Sequence, residues 1–245
     1  ENGDDYVING SKIWTSGADR ADWIFALVRT DPNASKHEGI SFIIFDMQTP
    51  GVTVTPIDLI SGASDFCQTF FDDVRVPRCN LIGAPGNGWT VGKRLMQYER
   101  ASIGGAGGPR QKIATVDEHA KTYVGIADGK ISDEAIRHDV VSLRMDERAY
   151  QLTLQRSVEE ASTTKAPGFL SSMSKLYGTE QNIRRQDLTV SIMGIQGLGW
   201  SGDGFAPVEL NATRGWLRSK ANSIEGGSSE VMRNIIAKRI LGLPD

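Results

Sequence analysis

Glu225 stands in the run Ile224-Glu225-Gly226-Gly227-Ser228-Ser229-Glu230, directly ahead of a helical pattern. The positive end of a helix favours an ionised carboxylate. Two glycines after it let backbone approach a ligand closely. Gly227 fits an N-cap, with Glu230 three residues on. The ordinary alternative for a lone glutamate at this place is a solvated first-turn acid. Glu99 is a second candidate, in Tyr98-Glu99-Arg100 within an apolar helical stretch (Leu95, Met96, Ile103). A Glu99–Arg100 surface pair would be weak, because adjacent helical residues do not face each other. Trp14-Thr15-Ser16 offers an indole beside two hydroxyls, which can stack on a ring and hydrogen-bond its heteroatoms. The plainer reading is a core tryptophan at a strand end.

Other chemistries find less support. Gly197-Leu198-Gly199-Trp200-Ser201-Gly202 matches G-x-G-x-x-G, but a nicotinamide site needs a strand before it and a helix directly after. Residues 188–195 pass for a strand, whereas Asp203-Gly204-Phe205-Ala206-Pro207 reads as a poor helix start. A glycine-rich loop between helices is the better expectation. Gly104-Gly105-Ala106-Gly107-Gly108 lacks the Lys-Ser/Thr of a P-loop. Ser16 and Ser64 have no nearby histidine, and no G-x-S-x-G elbow is present. Cys67 and Cys79 with His37, His119 and His138 cannot form a four-ligand zinc site of ordinary spacing. No metal site is expected.

The elements that must carry these residues divide into two kinds. The chain has 245 residues, room for one large or two modest domains. With 27 Lys plus Arg against 30 Asp plus Glu, the basic excess of a nucleic-acid binder is missing. Two cysteines read as free thiols of a cytosolic protein. No apolar run approaches the roughly 18 residues of a membrane span, so a cytoplasmic protein is expected. Residues 1–85 show short β-branched and aromatic runs: Tyr6 to Ile8 and Lys12 to Trp14 around Asn9-Gly10, which spells a tight hairpin, then Trp23–Val28, Ile40–Phe45, Val52–Ile57 and Phe70–Val76. After Gly86-Asn87-Gly88 helical periodicity takes over. Ile136, Val140, Leu143, Tyr150, Leu154, Val158 and Ala161 step by threes and fours, with Glu147 interrupting the stripe. Further helices are expected near 88–105, 111–127, 169–195 and 228–241. The fold class is therefore α+β and multidomain: an antiparallel β-barrel or sandwich over 1–85, then an up-down four-helix bundle over 86–245.

Taken in order, these segments resemble the acyl-CoA dehydrogenase family. The stretches that carry the resemblance are Tyr6-Val7-Ile8-Asn9-Gly10-Ser11-Lys12-Ile13-Trp14-Thr15-Ser16-Gly17, Phe70-Phe71-Asp72-Asp73-Val74-Arg75-Val76-Pro77, Gly86-Asn87-Gly88-Trp89, Tyr98-Glu99-Arg100, and Glu225 through Lys238. The style is that of bacterial pimeloyl-CoA dehydrogenase large-subunit-like members. The resemblance implies the family's middle β-domain and C-terminal helical domain, with the N-terminal helical domain missing from this chain. It implies FAD and α,β-dehydrogenation of an acyl-CoA thioester: a carboxylate removes the α-proton and flavin N5 takes the β-hydrogen. By position it makes Glu225 the favoured base and Glu99 the alternative, with Arg100 bordering the acyl-CoA. Trp14, Thr15 and Ser16 would line the flavin. Met193, Gly194, Ile195, Gln196 and Gly197 would meet FAD from a neighbouring subunit, and Gly227, Ser228 and Ser229 would contact it from the last helix. An electron-transfer flavoprotein as acceptor and a tetramer, homo- or heteromeric, are implied as well.

The chain departs from the family in one informative place. Members usually carry an Arg-x-x-Phe-Gly stretch whose arginine reaches a neighbour's FAD. Here Tyr123-Val124-Gly125-Ile126-Ala127-Asp128-Gly129-Lys130 has no such arginine. That departure leaves room for a half-site or non-catalytic subunit of a heteromeric dehydrogenase.

Overall fold

The computed structural model describes residues 3–101, 115–163 and 170–244; the glycine run 104–108 lies outside them. Two compact units result, Glu1–Met96 and Gln97–Asp245. In the first, β1 (Asp5–Ser16), β5 (Phe66–Pro77) and β4 (Val52–Ile57) form one antiparallel sheet in the order β1-β5-β4. A second sheet has the order β2 (Trp23–Arg29), β3 (Ile40–Asp46), β6 (Leu81–Ile82). Alternate residues of both sheets, among them Tyr6, Ile8, Ile24, Ile43, Phe45 and Val74, meet in one core. Two open sheets over a shared core make this a sandwich among the described residues, not a closed barrel.

The expected hairpin at Asn9-Gly10 is corrected. β1 runs unbroken through it and pairs with β5. Between the pairs Ile8↔Val74 and Gly10↔Phe71, Asn9 alone opposes Asp72 and Asp73. The Asn9 side chain closes this bulge: Nδ2 donates to Asp73 Oδ1 and Oδ1 accepts from Asp73 N, both at 2.9 Å. An Asn-Gly pair tolerates irregular backbone wherever it falls, so the same two residues serve a bulge as well as a turn. A cleft of about 390 Å³ opens between β1 and β2, lined by residues including Ile8, Lys12, Leu27 and Arg29. None of the flavin-lining candidates borders it.

In the second unit, α3 (Glu134–Thr163) carries the stripe read from sequence, with Val140, Leu143 and Tyr150 buried. It packs antiparallel to α4 (Leu170–Met193). Asp146 pairs with Arg184 and Glu147 with Arg185, whereas the later Tyr150 reaches back to the Ser174 carbonyl at 2.8 Å. Glu147 thus interrupts the apolar stripe because it meets a cation across the helix pair. α2 (Val116–Tyr123) starts with Thr115 and Glu118 in a capping box. The ribbon β7 (Ile126–Ala127) and β8 (Lys130–Ile131) follows, its turn at Asp128-Gly129 having positive φ at both residues. α1 (Gly88–Ala101) begins in the first unit and ends in the second, and α5 (Pro207–Ser219) and α6 (Ser229–Ile235) complete the second. No helix among the described residues is long and apolar enough to cross a membrane.

The sequence pattern predicts no helix after Asp203 to Pro207, a poor start, yet α5 begins there. Pro207 is the first helical residue, where a missing N–H costs nothing. The Ala206 N–H is taken by Glu209 Oε2 at 2.7 Å, and Glu209 Oε1 accepts from the Tyr123 hydroxyl at 2.9 Å. Burial first, then the bond to Glu209 and its charge, push the Tyr123 phenol up. Pro at the first position with Glu two residues later was the signal available.

His119 on α2 is buried, and burial lowers its pKa below 6.5, with Glu118 pulling the other way. The unfolded chain therefore binds a proton that the folded chain resists. Stability is full above about pH 6.5 and falls as pH drops below it. The urea midpoint should decline between pH 7.5 and 5.5, and His119→Gln should flatten that slope; an unaltered slope would remove His119 as the source.

Candidate active site

Trp14 reaches its place through a second bulge. Between Lys12↔Thr69 and Thr15↔Cys67, Ile13 and Trp14 together oppose Gln68 alone. Trp14 has φ +62°, a left-handed conformation that a bulky residue adopts only under constraint. The bulge turns the indole outward, 57% exposed, with an edge contact to Phe66 at 6.1 Å between ring centroids. Thr69 Oγ1 donates to Thr15 Oγ1 at 3.2 Å, which leaves the Thr15 proton to be donated elsewhere. Ser16 is exposed at the end of β1. A strained, outward indole beside two hydroxyls is a donor set suited to a planar heteroaromatic ring, and it is not a core tryptophan.

Glu225 lies in the second unit, in the turn that follows a 3-10 segment, Lys220–Ser223. Its amide donates to the Ala221 carbonyl at 3.0 Å. Gly226 and Gly227 follow with φ +65° and +106°, a succession only glycines adopt without strain. Ser228, not Gly227 as expected, caps α6, its hydroxyl accepting from Val231 N at 3.3 Å. A hydroxyl can accept from the helix's free N–H groups and glycine cannot. Glu230 therefore sits at the second helical position instead of closing a capping box. Its own backbone N–H, then the Ser228 hydroxyl, hold its carboxyl below the ordinary value.

The Glu225 carboxylate is only partly exposed and is held by two donors. Arg218 Nη2 donates to Oε2 at 2.9 Å, and Asn222 Nδ2 donates to Oε1. Sequence reasoning missed both partners. Arg218 lies two helical turns before Glu225 and Asn222 three residues before it, and neither spacing forms a motif by itself. Glu99 is exposed on α1, with Arg100 next to it. The two glutamates thus differ in setting: one is clamped by two donors, the other faces solvent.

The glycine-rich 197–202 segment follows a helix. Residues 188–193 belong to α4, and Gly194–Leu198 forms a 3-10 turn. A Cβ on Gly199 would sit 2.5 Å from Phe205 Cγ, and the Gly197 carbonyl accepts from Thr213 Oγ1 at 2.9 Å. Gly197 and Gly199 serve close packing, and no βαβ unit surrounds them among the described residues. Within Met193–Gly197, Met193 and Gly197 are buried, whereas Ile195 is 81% exposed.

The sequence model of the acyl-CoA dehydrogenase C-terminal domain matches residues 86–241, and that of the middle domain matches residues 1–74. The chain belongs to the acyl-CoA dehydrogenase family. The family uses FAD, and the open indole and hydroxyls at 14–16 fit a flavin ring. Acyl-CoA dehydrogenase IpdE1 of Mycobacterium tuberculosis is 33% identical over 244 residues, covering 99% of this chain and 60% of the relative. The chain thus spans about 60% of the length of such curated relatives. Among solved structures, the Tcur3481-Tcur3483 steroid acyl-CoA dehydrogenase matches with TM-score 0.84 at 28% identity, over 100% of this chain and 62% of that one. The ChsE4-ChsE5 complex of Mycobacterium tuberculosis matches with TM-score 0.79 at 28% identity, over 100% and 63%.

Proposed function

We propose that this chain carries the base and much of the flavin contact of an enzyme that oxidises an acyl-CoA thioester to the trans-2-enoyl-CoA. The observation that carries the reading is the Glu225 carboxylate, held by Arg218 and Asn222 in a glycine-flanked turn. Each carboxylate oxygen has two acceptor directions, so one bond on each leaves a direction open for a proton. Glu225 takes the α-proton, becomes the neutral acid and later returns the proton to solvent. When bound, FAD supplies the acceptor for the β-hydrogen, as hydride at N5. Trp14, Thr15 and Ser16 hold the ring, while Gly227, Ser228 and Ser229, with Met193 to Gly197 of a neighbouring copy, contact the rest. Arg100 borders the thioester. Electrons pass on to an electron-transfer flavoprotein, and the assembly is a cytoplasmic tetramer. Anaerobic titration of the full-length flavoprotein with butyryl-, octanoyl- and isobutyryl-CoA and a steroid-side-chain CoA thioester should bleach the flavin with at least one of them. No bleaching by any would sink the reading.

One observation favours a second reading, a half-site subunit of a heteromer. Residues 123–130, where the family's FAD-reaching arginine is expected, form the end of α2 and the ribbon β7–β8, with no arginine. Two similar structures bear the names of two chains each, Tcur3481-Tcur3483 and ChsE4-ChsE5. Purification of full-length protein with stoichiometric FAD and no partner chain would rule this reading out.

A further inference from the structure

Lys175 of α4 is wholly buried, and its ammonium donates to the backbone carbonyl of Asn222 at 3.0 Å. A buried cation persists only where acceptors are fixed around it. The Asn222 side chain is held as well. Its Oδ1 accepts from Asn182 Nδ2 at 2.8 Å, and Asn182 Oδ1 accepts from Arg185 Nη1 at 3.2 Å. Arg185 Nε in turn donates to Glu147 Oε1 on α3 at 2.7 Å. A chain of polar contacts therefore leads from α3 through α4 to Asn222 and ends on Glu225.

The direction of this chain is imposed by its ends. A guanidinium only donates and a carboxylate only accepts, so the two amides between them can face one way only. Turning Asn182 over would set its NH2 against Arg185. Turning Asn222 over would set its oxygen against Glu225. We propose that Asn222 is the positioning residue of Glu225, its amide oriented by Arg185 through Asn182 and its main chain clamped by Lys175. This rests on Glu225 being the base. Arg218, on α5, fixes the other carboxylate oxygen, so donors from two separate segments set the carboxylate plane. Holding a base in line with its proton is worth orders of magnitude in rate, and a misplacement of about 1 Å costs about 10²-fold.

Asn182 is the diagnostic position. Its bonds are to the side chains of Asn222 and Arg185, and Lys175 still holds the main chain at Asn222 when Asn182 is changed. In the flavin-loaded full-length protein, Asn182→Leu should lower kcat by about 10- to 100-fold with KM within about threefold. It should also raise the isotope effect on α-dideuterated octanoyl-CoA, or on the panel thioester that bleaches fastest. Independently of turnover, urea unfolding of Asn182→Leu, Glu225→Gln and the double variant should be non-additive. If Asn182→Leu does not fold, Asn222→Ala is read the same way. Unchanged kcat and isotope effect in Asn182→Leu, with Glu225→Gln inactive, would overturn the positioning role and leave the base standing. Full turnover by Glu225→Gln would overturn both.

Discussion

Glu225→Gln is expected to lower kcat of the flavin-loaded full-length protein by about 10²- to 10⁴-fold, the range that a positioned general base contributes. Glutamine keeps the shape and loses the proton acceptor. It also sets an NH2 against Arg218 or Asn222, since both present donors. A stability loss of about 1–2 kcal/mol should accompany the rate loss, because a half-buried donor is left without its acceptor. Substrate binding should change little, so the loss appears in kcat and kcat/KM together. Flavin reduction by the bleaching thioester, followed in stopped flow, separates the chemical step from later electron transfer. Glu99→Gln supplies the contrast: Glu99 faces solvent on α1, and most of its activity should survive. The ranking is reversed if Glu99→Gln is inactive while Glu225→Gln turns over.

The difference between the two glutamates was only half legible in the sequence. The glycines after Glu225 announced a turn with unusual backbone, and Gly226 and Gly227 do take positive φ. What the sequence did not show was that Glu225 is clamped. One partner, Arg218, lies on α5, a helix that the Asp203 to Pro207 stretch argues against, and the other, Asn222, lies in the 3-10 segment after it. Trp14 behaved similarly. Its type and its hydroxyl neighbours were visible, but its outward direction depends on a bulge set by the register with β5, some fifty residues away. Alternation along each strand and the stripe on α3 were readable because burial acts at fixed periods. Polar chains such as Arg185–Asn182–Asn222 have no period, and they become visible only when the helices are brought together. The Asn9-Gly10 reading failed for a related reason: local conformational tolerance identifies where backbone is irregular, not which irregularity the tertiary pairing selects.

A glycine motif makes the same point in energetic terms. Gly88→Ala should destabilise the protein by about 3 kcal/mol, at the upper end of overpacking costs. Gly86-Asn87-Gly88-Trp89 was part of the family resemblance, and its glycines could have been there for φ alone. Gly88 has no positive φ; it opens α1 against the backbone of β3. A Cβ there would lie 2.5 Å from Phe42 N and 2.7 Å from Ser41 Cα. Those are main-chain atoms of a central strand, so no rotamer change can relieve the contact. Ser41 is wholly buried, and its hydroxyl accepts from Gly86 N at 3.1 Å and bonds the Thr30 hydroxyl at 2.7 Å. Pushing α1 away from β3 would strain both bonds. Gly204 is the control, since a Cβ there meets nothing within 4 Å. Gly204→Ala should be neutral or stabilising by up to about 1 kcal/mol, through the unfolded chain. Urea unfolding of the two variants beside the parent decides the matter. Equal midpoints and slopes for Gly88→Ala and the parent would show that close approach to β3 is not what holds glycine at the start of α1.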